Sequence, residues 1–179
     1  MLRFMLNSHH RLYATPESDF IPRFYGRYPH GPLPRKQAVD SVRIIFDSYR
    51  FVDEWLDERP DPEVFVDSLP QLTSAALLQA LYSSYASQHG AVRWGDKTPI
   101  YTTYVELLTE LFPGAQFIHL IRDGRDVALS MLDKWEQDEF HIDIFFSARN
   151  WVRRIREARA SGIALGPELF YELSYESLT

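Results

Sequence analysis

The sequence predicts an α/β domain built around a parallel sheet. Short apolar runs alternate along the chain with longer segments whose apolar residues recur at helical spacing. The run from Gln116 to Ile121 is largely apolar, as expected of a strand buried in a parallel sheet. A chain of 179 residues can bury one sizeable core, so we expect a single domain over 1–179.

The N-terminal half predicts helices separated by a proline-rich loop. Four prolines and two glycines fall within 20–34, a composition typical of a loop. Thr73 or Ser74 is a suitable cap for the helix that follows. The predicted elements are a helix at 2–6 that fades near 7–10, a loop over 20–34, and helices over 39–56 and 72–87.

The C-terminal half predicts the alternation of strands and helices most clearly. Thr98 is a candidate N-cap with Pro99 at the first helical position, and Asp123 is a second candidate cap with Asp126 three residues later. The predicted elements are a strand ending near Trp94, a helix over 100–111, a strand over 116–121, a helix from Asp123 to about Glu136, a helix over 144–160 and a strand over 169–175.

Composition excludes several classes of function. A net charge of −6 does not favour a nucleic-acid binder. The absence of cysteine excludes a disulfide scaffold, a thiol nucleophile and a cysteine-ligated metal. There is no apolar stretch of about 18 residues and no signal-peptide pattern, so we expect no membrane span and a cytoplasmic location. The histidines lack metal-ligand spacing, and His119 is expected to lie in the interior.

Arg122 and Ser130 form the first candidate site. Arg122 leaves a buried strand where ligands of parallel sheets bind, and the helix after it offers free N–H groups to an anion. Ser130 follows two helical turns later, and the arginine fork suits a phosphate. The alternative is that Arg122 and Arg125 only pair with the neighbouring aspartates.

Two further candidates lie earlier in the chain. Lys97 comes directly before a predicted helix N-terminus and could face an anion, although an exposed loop lysine is the commoner explanation of such a motif. Glu17 lies in a loop after the first helix and could act as a general base, whereas a surface acidic loop is the commoner arrangement.

Together these segments resemble the sulfotransferase family, whose members use 3′-phosphoadenosine 5′-phosphosulfate (PAPS) as donor. The resemblance spans nearly the whole chain and implies a three-layer, P-loop NTPase-like fold with a parallel sheet. The matching stretches are Leu6 to Pro22 with Thr-Pro-Glu at 15–17, Trp-Gly-Asp-Lys-Thr-Pro at 94–99, Phe-Ile-His-Leu-Ile-Arg-Asp-Gly-Arg-Asp-Val-Ala-Leu-Ser at 117–130, and Tyr175-Glu176 with Leu178.

The resemblance also implies a reaction and a role for each candidate residue. Arg122 and Ser130 would hold the 3′-phosphate of PAPS. Lys97 would stabilise charge on the transferring sulfuryl group, and Glu17 would take the proton of the acceptor. The acceptor would be a hydroxyl or amine of a small molecule, carbohydrate or peptide, and no metal is needed. By analogy with phosphoryl transfer, catalysis would rest on positioning and charge stabilisation.

The sequence departs from the family pattern at its ends. Family members begin with a strand and a phosphate-binding loop directly before the first helix, whereas Met1 opens into the helical pattern. The chain also stops just after Leu178, where the family continues. We therefore expect an incomplete domain that lacks the first strand and that loop, exposes edges on the neighbouring strands, and has impaired activity.

Two alternatives remain open at this stage. The chain could be a non-catalytic remnant of the fold that binds an adenosine 3′-phosphate ligand or a protein partner. It could also be another nucleotide-dependent transferase of the P-loop class, such as a small-molecule kinase. The eight-residue spacing from Arg122 to Ser130 disfavours the kinase interpretation.

Overall fold

The structure, a computed structural model, describes residues 1–27, 31–48, 55, 59–136 and 143–178. It has mixed α/β architecture with short parallel strands, in agreement with the predicted class. The chain divides into two compact units, Met1–Ile100 and Tyr101–Thr179. The single domain over 1–179 stays a prediction.

The first unit combines a two-stranded parallel sheet with helices. Helix α5 packs against both strands and supplies buried side chains, Tyr82 among them. Thr15 lies opposite Asp96 in the pairing of β1 with β2. The elements are α1 (Leu2–Asn7), β1 (Leu12–Thr15), α2 (Ile21–Arg27), α3 (Arg35–Phe46), α4 (Pro62–Asp67), α5 (Ser74–Gln88) and β2 (Arg93–Asp96), followed by a 3₁₀ helix over Pro99–Thr103.

The second unit has the same plan with other helices. Strands β3 and β4 pair in parallel, and His119 lies opposite Glu172. The long helix α8 packs against both α7 and β4. The elements are α6 (Val105–Leu111), β3 (Phe117–Ile121), α7 (Gly124–Glu136), α8 (Ile144–Leu165) and β4 (Phe170–Ser174), followed by a 3₁₀ helix over Tyr175–Ser177.

Two predictions for the N-terminal half are wrong. The loop expected over 20–34 contains α2, because Pro22 lies in the first helical turn, where its missing N–H costs no hydrogen bond. The helix expected over 39–56 begins earlier, at Arg35 directly after Pro34, and ends at Phe46. Residues 49–54 and 56 of that prediction lie outside the described residues.

Two elements of the first unit were not predicted. Helix α4 has a recognisable start, since the Asp61 carboxylate accepts from the backbone N–H groups of Glu63 and Val64 and Pro62 follows directly. Strand β1 has only four residues and no turn residues that mark its start, so its pattern was too short to separate from a loop.

Of the two threonines predicted as helix caps, Thr73 is confirmed and Thr98 is not. Thr73 caps α5 as expected, its hydroxyl accepting from Ala76 N at 3.1 Å. Thr98 does not cap a continuous helix over 100–111, because its hydroxyl accepts from Ser18 N instead. That segment divides into the 3₁₀ helix and α6, and two adjacent β-branched threonines at 102–103 disfavour a continuous α-helix.

Within the described ranges the strands form two separate two-stranded sheets, β1–β2 and β3–β4. The larger three-layer, P-loop-like arrangement therefore stays a prediction. No helix in these ranges combines the length and the apolar character needed to cross a membrane.

Candidate functional site

Glu17 and Lys97 meet in the first unit. The parallel strands β1 and β2 end side by side at Thr15 and Asp96, so the segments after them leave the sheet at the same edge. Lys97 Nζ donates to Glu17 Oε1 at 2.5 Å. The Lys97 side chain is about half exposed, at 49%, and that of Glu17 is 25% exposed. Two residues 80 positions apart in sequence thus form an ion pair that solvent can reach.

A buried hydrogen-bond network lies beneath this ion pair. Ser18 donates from its backbone N–H to Thr98 Oγ1 at 2.8 Å and from its hydroxyl to Asp96 Oδ2 at 2.7 Å. Tyr82 donates to the same carboxylate oxygen, also at 2.7 Å, and Trp55 donates from Nε1 to the Glu17 carbonyl at 3.3 Å. The loop that carries Glu17 is therefore tied down on several sides.

Asp96 is the residue that the sequence reasoning missed. Burial raises the pKa of its carboxyl above the ordinary value, against the opposing effect of the nearby hydroxyls of Ser18, Thr98 and Tyr82. A raised pKa caused by burial is a common feature of carboxyl groups at functional sites. Asp96 stands directly before Lys97 in the Trp-Gly-Asp-Lys-Thr-Pro stretch at 94–99, but the sequence contains no signal that Tyr82 contacts it.

Arg122 leaves β3 in the second unit, as predicted. Its guanidinium lies over the Tyr175 ring, 5.1 Å from the ring centroid, and its Nη2 donates to Asp126 Oδ2 at 3.4 Å. The Arg122 carbonyl accepts from Trp151 Nε1 at 3.1 Å. The Nε atom of Arg122 is shielded from solvent and lacks a hydrogen-bond partner among the described residues. Backbone and side chain are thus both fixed at the carboxyl end of the strand.

The start of α7 contains a second set of charged contacts. Arg125 donates to both carboxylate oxygens of Asp123, at 3.0 and 2.7 Å, and this pairing lowers the pKa of Asp123 to about 2. Asp123 also caps the helix by accepting from Arg125 N at 2.8 Å. Asp126 does not complete the predicted capping box, because Glu176 accepts from Asp123 N at 2.8 Å instead.

Arg122 and Arg125 each pair with a neighbouring aspartate, which is the alternative to an anion site that the sequence left open. The two pairs differ in geometry. Arg125 makes a bidentate pair, whereas Arg122 makes a single bond at 3.4 Å and presents a side chain that is 40% exposed. An anion that binds Arg122 would therefore replace a weaker ion pair than an anion that binds Arg125.

Ser130 lies in α7, about two turns after its start, and is exposed. Across the described part of the chain, no hydrogen bond joins its hydroxyl to Arg122 or to another residue. The structure thus brings Glu17 and Lys97 into contact, but not Arg122 and Ser130.

The described ranges contain no group of three or more His, Cys, Asp or Glu side chains that could hold a metal ion. His119 is buried as predicted, with 6% of its surface exposed, and lies opposite Glu172 in the β3–β4 sheet.

The chain was compared with known protein families and with curated proteins. The model described as the sulfotransferase family matches residues 1–179, which is the full length of the chain. A search of the curated proteins finds no match. The match extends over both compact units and over all four candidate residues. The chain belongs to the sulfotransferase family.

Proposed function

We propose that the chain transfers a sulfuryl group from PAPS to the hydroxyl or amine of a small-molecule, carbohydrate or peptide acceptor. The family match supports sulfotransfer in general, and members of this family typically use PAPS. The observation that carries the residue assignment is the Glu17–Lys97 ion pair, because it brings a carboxylate and an ammonium group together at a sheet edge.

The proposed chemistry is an in-line displacement at sulfur. The acceptor oxygen or nitrogen forms a bond to sulfur while the bond from sulfur to the bridging oxygen of the 5′-phosphate breaks. Glu17 takes the proton that the acceptor loses, and the leaving phosphate keeps the electron pair of the broken bond. Lys97 offsets the negative charge that develops on the transferring group and the leaving oxygen.

The ion pair also fits the needs of a site before the donor binds. Glu17 and Lys97 offset each other's charge. An ion pair that solvent can reach contributes only about 0–1 kcal/mol to stability, so breaking it costs little. Lys97 can therefore exchange its carboxylate partner for the donor with little penalty.

Arg122 and Ser130 are assigned to the 3′-phosphate of the donor. The single long bond from Arg122 to Asp126 and the exposed Ser130 hydroxyl support this assignment, since both groups can accept an anionic partner. The three-layer fold is a further part of the proposal that rests on the resemblance, and the cytoplasmic location stays a prediction from the sequence.

The test of the proposed function is transfer of sulfur-35 from labelled PAPS. Residues 1–179, and the longest open reading frame that contains them, are incubated with phenols, sugars, amines and tyrosine peptides. We expect label on at least one acceptor class, and a loss of roughly 100-fold or more in the Lys97→Ala and Glu17→Gln variants. Lys36→Ala, which removes an exposed lysine on α3, is the matched control.

Two outcomes contradict this proposal. Binding of adenosine 3′,5′-bisphosphate without transfer to any acceptor indicates the non-catalytic alternative. Greater thermal stabilisation by ATP than by adenosine 3′,5′-bisphosphate indicates a different P-loop transferase.

A further inference from the structure

We propose that Asp96 is a positioning residue that holds the Glu17 loop next to Lys97, so that both side chains lie at the same edge of the sheet. This inference rests on the proposed function, because it explains how the two assigned side chains reach each other. It concerns only the first compact unit.

The evidence is the geometry around one carboxylate oxygen. The Ser18 and Tyr82 hydroxyls both donate to Asp96 Oδ2 at 2.7 Å, and they lie 2.9 Å from each other. Ser18 and Tyr82 are both completely buried, at 0% exposure. The Tyr82 ring stacks on Trp94 of β2 at a centroid distance of 4.5 Å, which fixes the direction of its hydroxyl. Asp96 thus joins β2, α5 and the loop after β1.

The position of this network in the chain gives it a functional consequence. Asp96 precedes Lys97 and Ser18 follows Glu17, so the bond from Ser18 to Asp96 connects the immediate neighbours of both assigned residues. The bond from Ser18 N to Thr98 Oγ1 makes the same connection on the other side of Lys97. A shift of this loop would move Glu17 away from Lys97.

Stability alone does not explain an aspartate at this position. The Asp96 Oδ1 atom is shielded from solvent and lacks a hydrogen-bond partner among the described residues. A buried polar atom without a partner costs free energy, and a buried carboxylate is a poor source of net stability. The carboxylate is better explained by the two hydroxyls that it orients than by what it contributes to folding.

The experiment compares three variants with the wild type. Asp96→Asn keeps one oxygen for the two hydroxyls, Asp96→Ala removes it, and Ser18→Ala removes one hydroxyl while keeping the carboxylate. We expect kcat to fall roughly 10- to 100-fold in Asp96→Ala, to fall less in Ser18→Ala, and to stay within a few-fold of wild type in Asp96→Asn. The KM for PAPS should change much less than kcat. Asp40→Ala, a partly exposed aspartate on α3, is the matched control.

A second measurement separates this proposal from the proposed function. Hydrogen exchange of the Ser18 amide, which is bonded to Thr98, reports on the loop without any assay of transfer. Faster exchange in Asp96→Ala but not in Asp96→Asn supports the positioning role even if no acceptor is ever found. If Asp96→Ala fails to fold, exchange of the same amide is measured in Ser18→Ala, because the backbone N–H of residue 18 and its Thr98 acceptor remain in that variant. Unchanged kcat and unchanged Ser18 exchange in the variants would overturn the proposal.

Discussion

At the scale of single residues, His119 shows how burial changes the acid–base behaviour of a side chain. Its ring lies in β3 with Nδ1 3.4 Å from Glu172 Oε2, beyond a good hydrogen bond. Arg159 binds both oxygens of that carboxylate at 2.8 Å, so Glu172 is already paired. Burial lowers the pKa of His119 below its ordinary value of 6.5, and nearby Glu172 opposes this only in part.

This lowered pKa predicts a pH dependence of stability. The unfolded chain binds a proton at His119 near pH 6.5, whereas the folded protein resists it, so the free energy of unfolding decreases as pH falls below that value. Urea unfolding at pH 7.5 and 5.5 measures the decrease, and His119→Gln should make it smaller. His10→Gln replaces an exposed histidine and should leave the decrease unchanged. An identical decrease in His119→Gln and the wild type would refute the assignment.

Two of the candidate residues were accessible to sequence reasoning because each stands next to a strand exit. Lys97 and Arg122 were found in this way, and Glu17 through its loop and the resemblance. The side chains that contact the site residues could not be predicted from the sequence. Tyr82 reaches Asp96 from the middle of α5, and Tyr175 reaches Arg122 from beyond β4. Side-chain direction and long-range packing decide such contacts.

At the scale of elements, the packing of α8 on β4 depends on one glycine. A Cβ atom at Gly162 would lie 2.5 Å from the nearest atom of the Phe170 ring, which is far inside contact distance. Glycine is otherwise unfavourable in a helix interior, by about 1 kcal/mol relative to alanine. Its position here is explained by the close approach of the strand.

We therefore expect Gly162→Ala to destabilise the protein by about 1–3 kcal/mol, because overpacking outweighs the gain in helix propensity. Equilibrium unfolding in urea gives this value directly. Ser161→Ala, one residue earlier at a partly exposed site of the same helix, should stay within about 0.5 kcal/mol of wild type. A Gly162→Ala variant as stable as wild type would show that Phe170 does not pack as described.

The start of α4 gives a second prediction at this scale. Asp61→Ala removes the acceptor for two backbone N–H groups and should cost about 0.5–2 kcal/mol. Asp61→Ser keeps a capping oxygen and should retain most of the stability. The comparison of the two variants by thermal unfolding isolates the cap, and equal losses would contradict it.

Elements were predicted best where their pattern is long. Helix α5 and strand β3 agree with expectation, because each combines an extended apolar pattern with a recognisable boundary. Helix α2 was missed because a proline in the first turn was interpreted as a breaker. Strand β1 was missed because its length of four residues cannot establish a period.

At the scale of the whole molecule, the alternation of strands and helices was enough to predict the α/β class. It did not predict which strands pair. β1 pairs with β2 across about 80 residues, and β3 with β4 across about 50, so neither pairing is local in sequence. Strand pairing of this kind is decided by the packing of the helices between the strands.

We propose that this sulfotransferase-family chain recognises a nucleotide through its 3′-phosphate. Thermal unfolding with adenosine 3′,5′-bisphosphate, compared with adenosine 5′-phosphate, tests it most directly in the wild type, Arg122→Ala and the exposed-arginine control Arg149→Ala. At 100 times its Kd, the bisphosphate should raise Tm by roughly 5–10 °C in the wild type and the control, and much less in Arg122→Ala. Adenosine 5′-phosphate should have a smaller effect. Equal stabilisation by both nucleotides, or an unchanged Tm shift in Arg122→Ala, would contradict recognition of the 3′-phosphate by Arg122.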